Sequence, residues 1–360
     1  MKKNNLLKKL ALLVATTFAL GTLTACGDAQ TGQSSSTQQT KSESQAVSSG
    51  ADASGATIDY AYPSEINVGT FLVTHLNVEK LANALGYFDE EFADLGVKVN
   101  LVEFASGGAI NEAFASGSVD FAFYGDQPTI NGIANNVPVT ILGSPMRTET
   151  ANAILVRADS DISTVEELAG KKVAVTVGTA QHKILLQILD KHGLTEDDIE
   201  LNNLKNADAL TALAAGEIDA VLILEPSVTT YTKNGTARIL EDGKGFVNTS
   251  IFVGRTEFVE QYPEITKRYI KALLRAEAWR EENSEEAAQI IADIVDTDSS
   301  YILEYWPKYD MTLRASNEDI QALYDTAAFL REKGGLDHDI TLEGHYDFSY
   351  LEDVLATEEK

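Results

Sequence analysis

Two short glycine-containing segments of the chain carry residue types that bind oxyanions. Ser106, Gly107 and Gly108 precede one predicted helix, and Gly178 and Thr179 stand in the same place before another. Glycine lets the backbone approach a ligand closely, and the first N–H groups of a helix are unpaired donors at the positive end of its dipole. A plain helix cap would explain the serine but not both glycines. We therefore expect a tetrahedral oxyanion to bind at these helix starts.

Short apolar strands alternate with helical patterns in the region that must position these segments. We predict strands at residues 66–69, 97–104 and 119–124, and helices at residues 77–88 and 109–115. This alternation is typical of an α/β fold with largely parallel sheets.

After about residue 256 the pattern changes to helices only. The predicted helices span residues 263–282, 285–295, 300–306 and 317–333. The first of them is long and amphipathic, with a proline at its start, where the fixed proline dihedral suits a helix.

An internal repeat indicates two equivalent halves. Residues 113–123 recur as residues 212–222, and each copy continues to an acid near a proline, at Asp126 and at Glu225. Each copy reads as a helix ended by glycine, a tight turn and a buried strand. Open α/β sheets place their ligand crevice at the carboxyl ends of such strands, so both acids are expected at a crevice edge. The period near 100 residues fits two lobes.

The amino-acid composition excludes several classes of protein. The 360 residues suffice for about two domains, and a hydrophobic content of 44% indicates a globular chain. The net charge of −27 excludes non-specific binding to nucleic acid, which needs a basic face. The lone cysteine excludes a disulfide framework and a thiolate metal site.

The first residues indicate export. Four lysines among the first nine residues are followed by an uncharged apolar stretch, which describes a secretory signal at residues 1–25. The tetrad Leu-Thr-Ala-Cys that ends at Cys26 resembles the bacterial lipoprotein signal, which implies an acylated cysteine as the first mature residue. An ordinary signal peptide is the alternative. Residues 26–57 are rich in Ser, Gln and Thr and predict a disordered tether.

Four segments together resemble a known family. They are residues 102–108 (VEFASGG), 124–128 (YGDQP), 178–182 (GTAQH) and the pair Glu225-Pro226. In this order and spacing they are similar to extracytoplasmic solute-binding proteins of ABC importers, in the group that serves aliphatic sulfonates, taurine, nitrate and thiamine-pyrimidine precursors.

The resemblance implies a fold of the type II periplasmic-binding-protein kind. Two doubly wound α/β lobes would be joined by a two-strand hinge, with crossings near residues 153–156 and 251–253. Lobe one would comprise residues 58–156 and 250–360, and lobe two residues 157–249. The C-terminal helices would pack on lobe one.

The crevice topology and the resemblance together define an expected ligand-binding set. Its members lie after strands of both lobes: Thr74, His75, Ser106, Gly107, Gly108, Gly125, Asp126, Gln127, Gly178, Thr179, His182, Glu225 and Ser250.

Several roles, of members of this set and of residues near it, stay open at the level of sequence. His75 is also explained as a surface histidine, and Glu225 either holds an ammonium group or caps a loop. Arg147 neutralises an anion or lies solvated at the hinge. The aromatic residues Phe123, Tyr124 and Phe252 pack a ligand tail or the core.

The sequence departs from its relatives at two positions. Sulfonate-binding relatives carry a second hydroxyl where this chain has Ala180, which puts one hydrogen bond in doubt. Taurine-binding relatives carry an acid where this chain has Ser250, and this difference favours simple alkanesulfonates over taurine.

The expected function is that of a monomeric, lipid-anchored receptor at the outer face of the membrane. It would capture a small organic sulfonate between two lobes and deliver it to an ABC permease, with no cofactor, metal or catalytic residue. The alternatives are the same fold binding a thiamine-pyrimidine precursor, another small heterocycle or nitrate, and an extracellular enzyme. The sequence has no Gly-x-Ser-x-Gly or His-Glu-x-x-His motif, and no cysteine follows Cys26.

Overall fold

The structure, a computed structural model, describes residues 47–51, 57–71 and 78–358. The predicted signal peptide, Cys26, and the expected site residues Thr74 and His75 lie outside the described residues. In this part of the chain, no helix is both long and apolar enough to cross a membrane.

The described residues form thirteen strands and thirteen α-helices. The strands are β1 Val47–Ala51, β2 Thr57–Ala61, β3 Glu65–Phe71, β4 Lys98–Phe104, β5 Phe121–Gly125, β6 Val139–Thr148, β7 Asn152–Arg157, β8 Lys172–Val175, β9 Glu200–Asn203, β10 Ala220–Leu224, β11 Ala237–Asp242, β12 Asn248–Arg255 and β13 Tyr309–Asp310. The helices are α1 Val78–Ala84, α2 Tyr87–Phe92, α3 Gly107–Ala115, α4 Asp126–Ala134, α5 Ala180–Lys191, α6 Asn206–Ala215, α7 Ser227–Lys233, α8 Thr256–Gln261, α9 Pro263–Glu282, α10 Ser284–Val295, α11 Ser299–Tyr305, α12 Asn317–Glu332 and α13 Ser349–Glu358.

Two mixed sheets form the centres of two α/β lobes, which confirms the predicted fold class. The six-stranded sheet has the order β13-β6-β12-β5-β3-β4, and the five-stranded sheet the order β11-β7-β10-β8-β9. The expectation of largely parallel sheets is wrong. Strands β4, β3 and β5 are parallel, as are β9, β8 and β10, but β6, β7, β11, β12 and β13 pair antiparallel. Strands β7 and β12 each enter their sheet from the other lobe, so no crossover connection within that sheet makes them parallel to its other strands.

The chain passes between the two sheets twice. The first passage lies between Thr148 at the end of β6 and Asn152 at the start of β7, and the second between Asp242 and Asn248. The expected crossing segments, residues 153–156 and 251–253, instead lie inside β7 of the five-stranded sheet and β12 of the six-stranded sheet. We call residues 152–242 lobe two, and the described residues from 62 to 148 and from 248 onward lobe one.

Two local expectations differ from the structure. The helix predicted over residues 77–88 is divided into α1 and α2, because Gly86 adopts a left-handed conformation with φ of 76° that ends the first helix. Residues 47–51, expected within the tether, pair antiparallel with β2. This pairing uses backbone groups and needs no large apolar side chain.

The C-terminal helices supply much of the core of lobe one. Tyr269 of α9 stacks on Phe121 of β5 with ring centroids 4.6 Å apart and on Phe88 of α2 at 5.1 Å. Phe123 stacks on Phe252 at 4.7 Å, and both side chains are buried in the same core. These strand aromatics therefore pack the sheet against the helices.

The internal repeat has one structural role in both lobes. The preceding helices end at Gly117 and Gly216, which both have a positive φ, 71° and 74°. Asp120 then accepts a hydrogen bond from the Asn67 backbone N–H at 2.9 Å, and Asp219 accepts one from the Lys172 N–H at the same distance. Each repeat aspartate thus fixes its strand to the start of the neighbouring parallel strand.

We predict unequal losses when the two repeat aspartates are removed. Asp120→Ala should lower the free energy of unfolding by about 2–3 kcal/mol, because it also leaves the Arg255 guanidinium, 2.8 Å from Asp120 Oδ1, without this buried partner. Asp219→Ala removes one exposed hydrogen bond and should cost about 1 kcal/mol or less. Urea denaturation measures both values, and equal losses would contradict the assignment.

Candidate functional site

The expected site residues follow the carboxyl ends of parallel strands in both lobes. In lobe one, β4 leads into α3 and β5 into α4, and in lobe two β8 leads into α5 and β10 into α7. Ser250 of β12 lies opposite Gly125, the last residue of β5, so the register brings these two expected site residues together. This is the edge at which open α/β sheets hold ligands.

The start of α3 uses two of its three expected residues for structure. Ser106 caps the helix by accepting from the Ala109 N–H at 3.3 Å. A Cβ on Gly107 would lie 2.4 Å from Cβ of Pro128, so this glycine is required by the packing of α3 on α4. A Cβ on Gly108 would meet only the Ser106 hydroxyl, at 3.9 Å. Packing therefore explains the first glycine, and the second is the one whose surroundings leave room for a ligand.

The start of α4 contains a buried acid and a buried amide. Asp126 Oδ1 accepts from the Gln127 N–H at 2.8 Å, and its Oδ2 accepts from the Thr326 hydroxyl of α12 at 2.7 Å. The Lys183 ammonium of lobe two lies 3.7 Å from Asp126 Oδ2 and donates to the Thr326 hydroxyl at 2.8 Å. The Gln127 side chain is 2% exposed, and neither its Nε2 nor its Oε1 has a hydrogen-bond partner among the described residues.

The start of α5 is organised by its own polar residues. Gly178 has a φ of 78°, and its N–H donates to Nδ1 of His182 at 3.4 Å. The Thr179 hydroxyl donates to the Thr176 carbonyl at 2.6 Å and accepts from the His182 N–H at 3.4 Å. Burial lowers the pKa of His182, which favours the neutral ring that accepts from Gly178. The His182 ring also packs edge-on against Phe329 of lobe one, with centroids 5.9 Å apart.

Glu225 at the end of β10 is fully engaged within the protein. Its Oε2 accepts from the Thr229 N–H at 2.8 Å and its Oε1 from the Thr229 hydroxyl at 3.0 Å. The Lys308 ammonium of lobe one forms an ion pair with the same carboxylate. Of the two roles left open by the sequence, the loop-capping one is present in the structure.

Arg147 and Ser250 contact residues of lobe one and of the adjacent passage between the lobes. Arg147 pairs with Glu149 at 3.3 Å and with Glu318 at 3.4 Å, so its charge is shared between two carboxylates. The Ser250 hydroxyl donates to the Tyr124 carbonyl of β5 at 3.4 Å.

Sequence reasoning missed three residues at this edge, namely Lys183, Lys308 and Thr326. Lys183 is the fourth residue of α5, directly after a segment that the sequence singled out, so its position on the helix was available as a signal. Lys308 and Thr326 belong to the C-terminal part of the chain. Nothing in their local sequence indicates that they return to the ends of strands formed much earlier.

Comparison with known proteins places the chain in a family. Residues 78–287 match the family described as NMT1/THI5 like. The chain belongs to this family. The resemblance found in the sequence is thereby confirmed.

Several proteins that are similar to this NMT1/THI5-like chain are named as binding proteins. A Bacillus subtilis (strain 168) protein named as an aliphatic sulfonates-binding protein is 30% identical over 309 residues, which cover 85% of this chain and 92% of that protein. The taurine-binding periplasmic protein of Escherichia coli (strain K12) is 26% identical, with 75% and 87% covered. The alkanesulfonate-binding protein SsuA from Xanthomonas axonopodis pv. citri, solved bound to MOPS, has a TM-score of 0.71 at 24% identity, with 80% and 99% covered. That last likeness establishes the shared fold.

A buried acid connects β3 to α1 in this NMT1/THI5-like chain. The Thr70 hydroxyl at the end of β3 donates to Glu79 Oε1 at 2.9 Å, and Glu79 Oε2 has no partner among the described residues. Burial raises the pKa of Glu79 to about 7, against the opposing effect of its hydrogen bonds. The carboxyl group therefore holds a proton in the folded protein at pH values where the unfolded chain has lost it.

We predict that Glu79→Gln removes a pH dependence of stability. Since the folded pKa lies above the unfolded value of 4.5, the parent loses stability as the pH rises from about 4.5 through about 7 and stays level above it. The variant should match the parent near pH 4.5 and exceed its free energy of unfolding by about 3 kcal/mol at pH 8. Urea denaturation across this range measures the difference.

Measuring the parent and the Glu79→Gln variant side by side controls for the other titrating groups. Burial also raises the pKa of Glu277 to about 7, and because parent and variant both carry this residue its effect cancels in their difference. Parallel stability curves for the two proteins would contradict the assignment to Glu79.

Proposed function

We propose that this chain is the solute-binding receptor of an ABC importer and that its ligand is a small organic sulfonate. The observation that carries the proposal is the meeting of helix starts from opposite lobes, with Lys183 Nζ of α5 lying 3.7 Å from Asp126 Oδ2 of α4. Groups after β5 and after β8 therefore share one interlobe surface. A ligand bound there contacts both lobes, which is the requirement for closure around it.

The donors at this surface suit a sulfonate. A sulfonate spreads one negative charge over three oxygens, which backbone N–H groups at helix starts bind without a formal counter-charge. The exposed backbone at Gly108, at the start of α3, provides such a group, and the unpartnered Gln127 amide provides a buried side-chain donor. The names of the sulfonate-binding and taurine-binding relatives support the same ligand class, as does the MOPS complex, since MOPS is itself a sulfonic acid.

The engagement of the acids argues for a ligand without an amine. The Glu225 carboxylate accepts from Thr229 and pairs with Lys308, and Asp126 accepts from Thr326 beside Lys183. Neither carboxylate is left to bind a ligand ammonium or a protonated heterocycle. This favours simple alkanesulfonates over taurine and over pyrimidine precursors, in agreement with the serine at position 250.

The setting of the receptor forms part of the same proposal. The signal at residues 1–25 exports the chain, acylation of Cys26 holds it at the outer face of the membrane, and the following segment allows the lobes to reach the permease. It acts as a monomer that binds and releases its ligand without chemical change. Fold alone does not separate binding proteins from enzymes, and the relatives' names support the binding role.

We predict a selective calorimetric titration of the full-length chain. Ethanesulfonate should bind, taurine and nitrate should bind more weakly, and an aminopyrimidine should give no heat of binding. Selective binding of the aminopyrimidine would replace the proposed ligand class, and turnover of any ligand would contradict a binding role.

We predict that Gly178→Ala weakens ethanesulfonate binding at least about tenfold, because a side chain at a φ of 78° strains the loop that aims the first N–H groups of α5. Gly170→Ala is the matched control, since Gly170 also lies in lobe two, has a φ of 71° and has open space around a Cβ. Calorimetry measures both dissociation constants. Equal values in the two variants would remove the α5 start from the site.

A further inference from the structure

Four ion pairs join the two lobes among the described residues. They are Lys183–Asp126, Lys233–Glu304, Lys308–Glu225 and Lys333–Glu196. Each lobe contributes two of the lysines and two of the acids, so each lobe supplies ammonium groups to carboxylates of the other.

Two of these pairs are related by the internal repeat. Asp126 follows β5 in lobe one and takes Lys183 from lobe two, while Glu225 follows β10 in lobe two and takes Lys308 from lobe one. The two acids are 99 residues apart, the same offset as the repeat. We refer to these two as the reciprocal pairs.

The reciprocal pairs are the buried ones. The Asp126 and Lys183 side chains are 4% and 11% exposed, and Glu225 is fully buried beside a Lys308 that is 30% exposed. The pairs Lys233–Glu304 and Lys333–Glu196 are at least one-third exposed on both sides, where such contacts contribute little. Separating the lobes would take the partner cation from each buried carboxylate, and this is costly unless water enters.

The identity of the cations also separates interlobe from intralobe contacts. Among the described residues no arginine ion pair joins the two lobes, since Arg147–Glu149 reaches only the adjacent passage and the others stay within one lobe, whereas all four interlobe pairs use lysine. Arginine forms fixed, often bidentate pairs, while lysine is a single charge on a flexible stem. Lysine therefore suits contacts that must break and re-form as the lobes move.

We propose that the reciprocal pairs hold the lobes closed and set the fraction of closed receptor present before ligand arrives. This inference rests on the proposed binding function and adds a role for Asp126 and Glu225, which stabilise closure through lysines of the opposite lobe. The Thr326 hydroxyl joins the first pair, because it accepts from Lys183 and donates to Asp126.

The test compares two lysines of the same helix in ligand-free protein. Lys183→Met removes the ammonium and keeps the apolar stem, and Lys191→Met removes an exposed lysine whose partner, Glu241, lies in the same lobe. Small-angle X-ray scattering of the full-length chain should show a larger radius of gyration for Lys183→Met and the parent value for Lys191→Met. Parent values for both variants would overturn the proposal.

A double variant guards against a folding defect. Lys183→Met leaves Asp126 without its cation, so Asp126→Asn combined with Lys183→Met removes both charges and should restore the melting temperature. The radius of gyration should stay large in this double variant. A parent value in the folded double variant would mean that the charges do not hold the lobes together.

A ligand titration separates this inference from the proposed function. If ethanesulfonate binds the parent, its apparent dissociation constant should rise about tenfold in the double variant, because less of the protein is in the closed state. An unchanged constant would overturn the role in closure. If ethanesulfonate does not bind the parent, the sulfonate proposal fails, and scattering of the ligand-free variants alone decides on the reciprocal pairs.

Discussion

A carboxylate buried at a strand end must be supplied with donors or a cation, and this constraint links the two lobes. Asp126 and Glu225 stand at the carboxyl ends of β5 and β10, where the sheet edge faces the opposite lobe. Local backbone and side-chain donors satisfy part of each carboxylate, but each lysine comes from the other lobe. The stability of each strand end therefore depends on the position of the lobe that it does not belong to.

The same constraint divides the polar residues of the crevice edge between structure and binding. Ser106, Thr179, His182 and Glu225 cap helices or order loops, and Gly107 is required by helix packing. The polar groups that these contacts do not use are backbone N–H donors at the helix starts and the buried, neutral side-chain amide of Gln127. An edge with such donors, and with its acids already neutralised, suits an anion whose charge is spread over several oxygens.

Local patterns predicted the elements well and their directions poorly. The helix over residues 263–282 was predicted with its observed bounds, since a proline start and an amphipathic face are both local signals. The prediction of largely parallel sheets failed for the strands near the two passages between the lobes. The direction of such a strand depends on where the chain re-enters a sheet, which the local sequence does not show. Gly86 shows the same limit at smaller scale, since its left-handed conformation divides a helix that apolar spacing alone predicts as continuous.

The sequence by itself determined the family, the α/β class and the doubled unit that places an acid after a strand in each lobe. These follow from residue types at fixed local spacing, which no distant contact needs to supply. Only the tertiary structure decided what those acids do, because Lys183, Thr326 and Lys308 reach them from segments 57 to 200 residues away. Local sequence cannot encode a partner at that separation, since the pairing exists only once both lobes have folded and met.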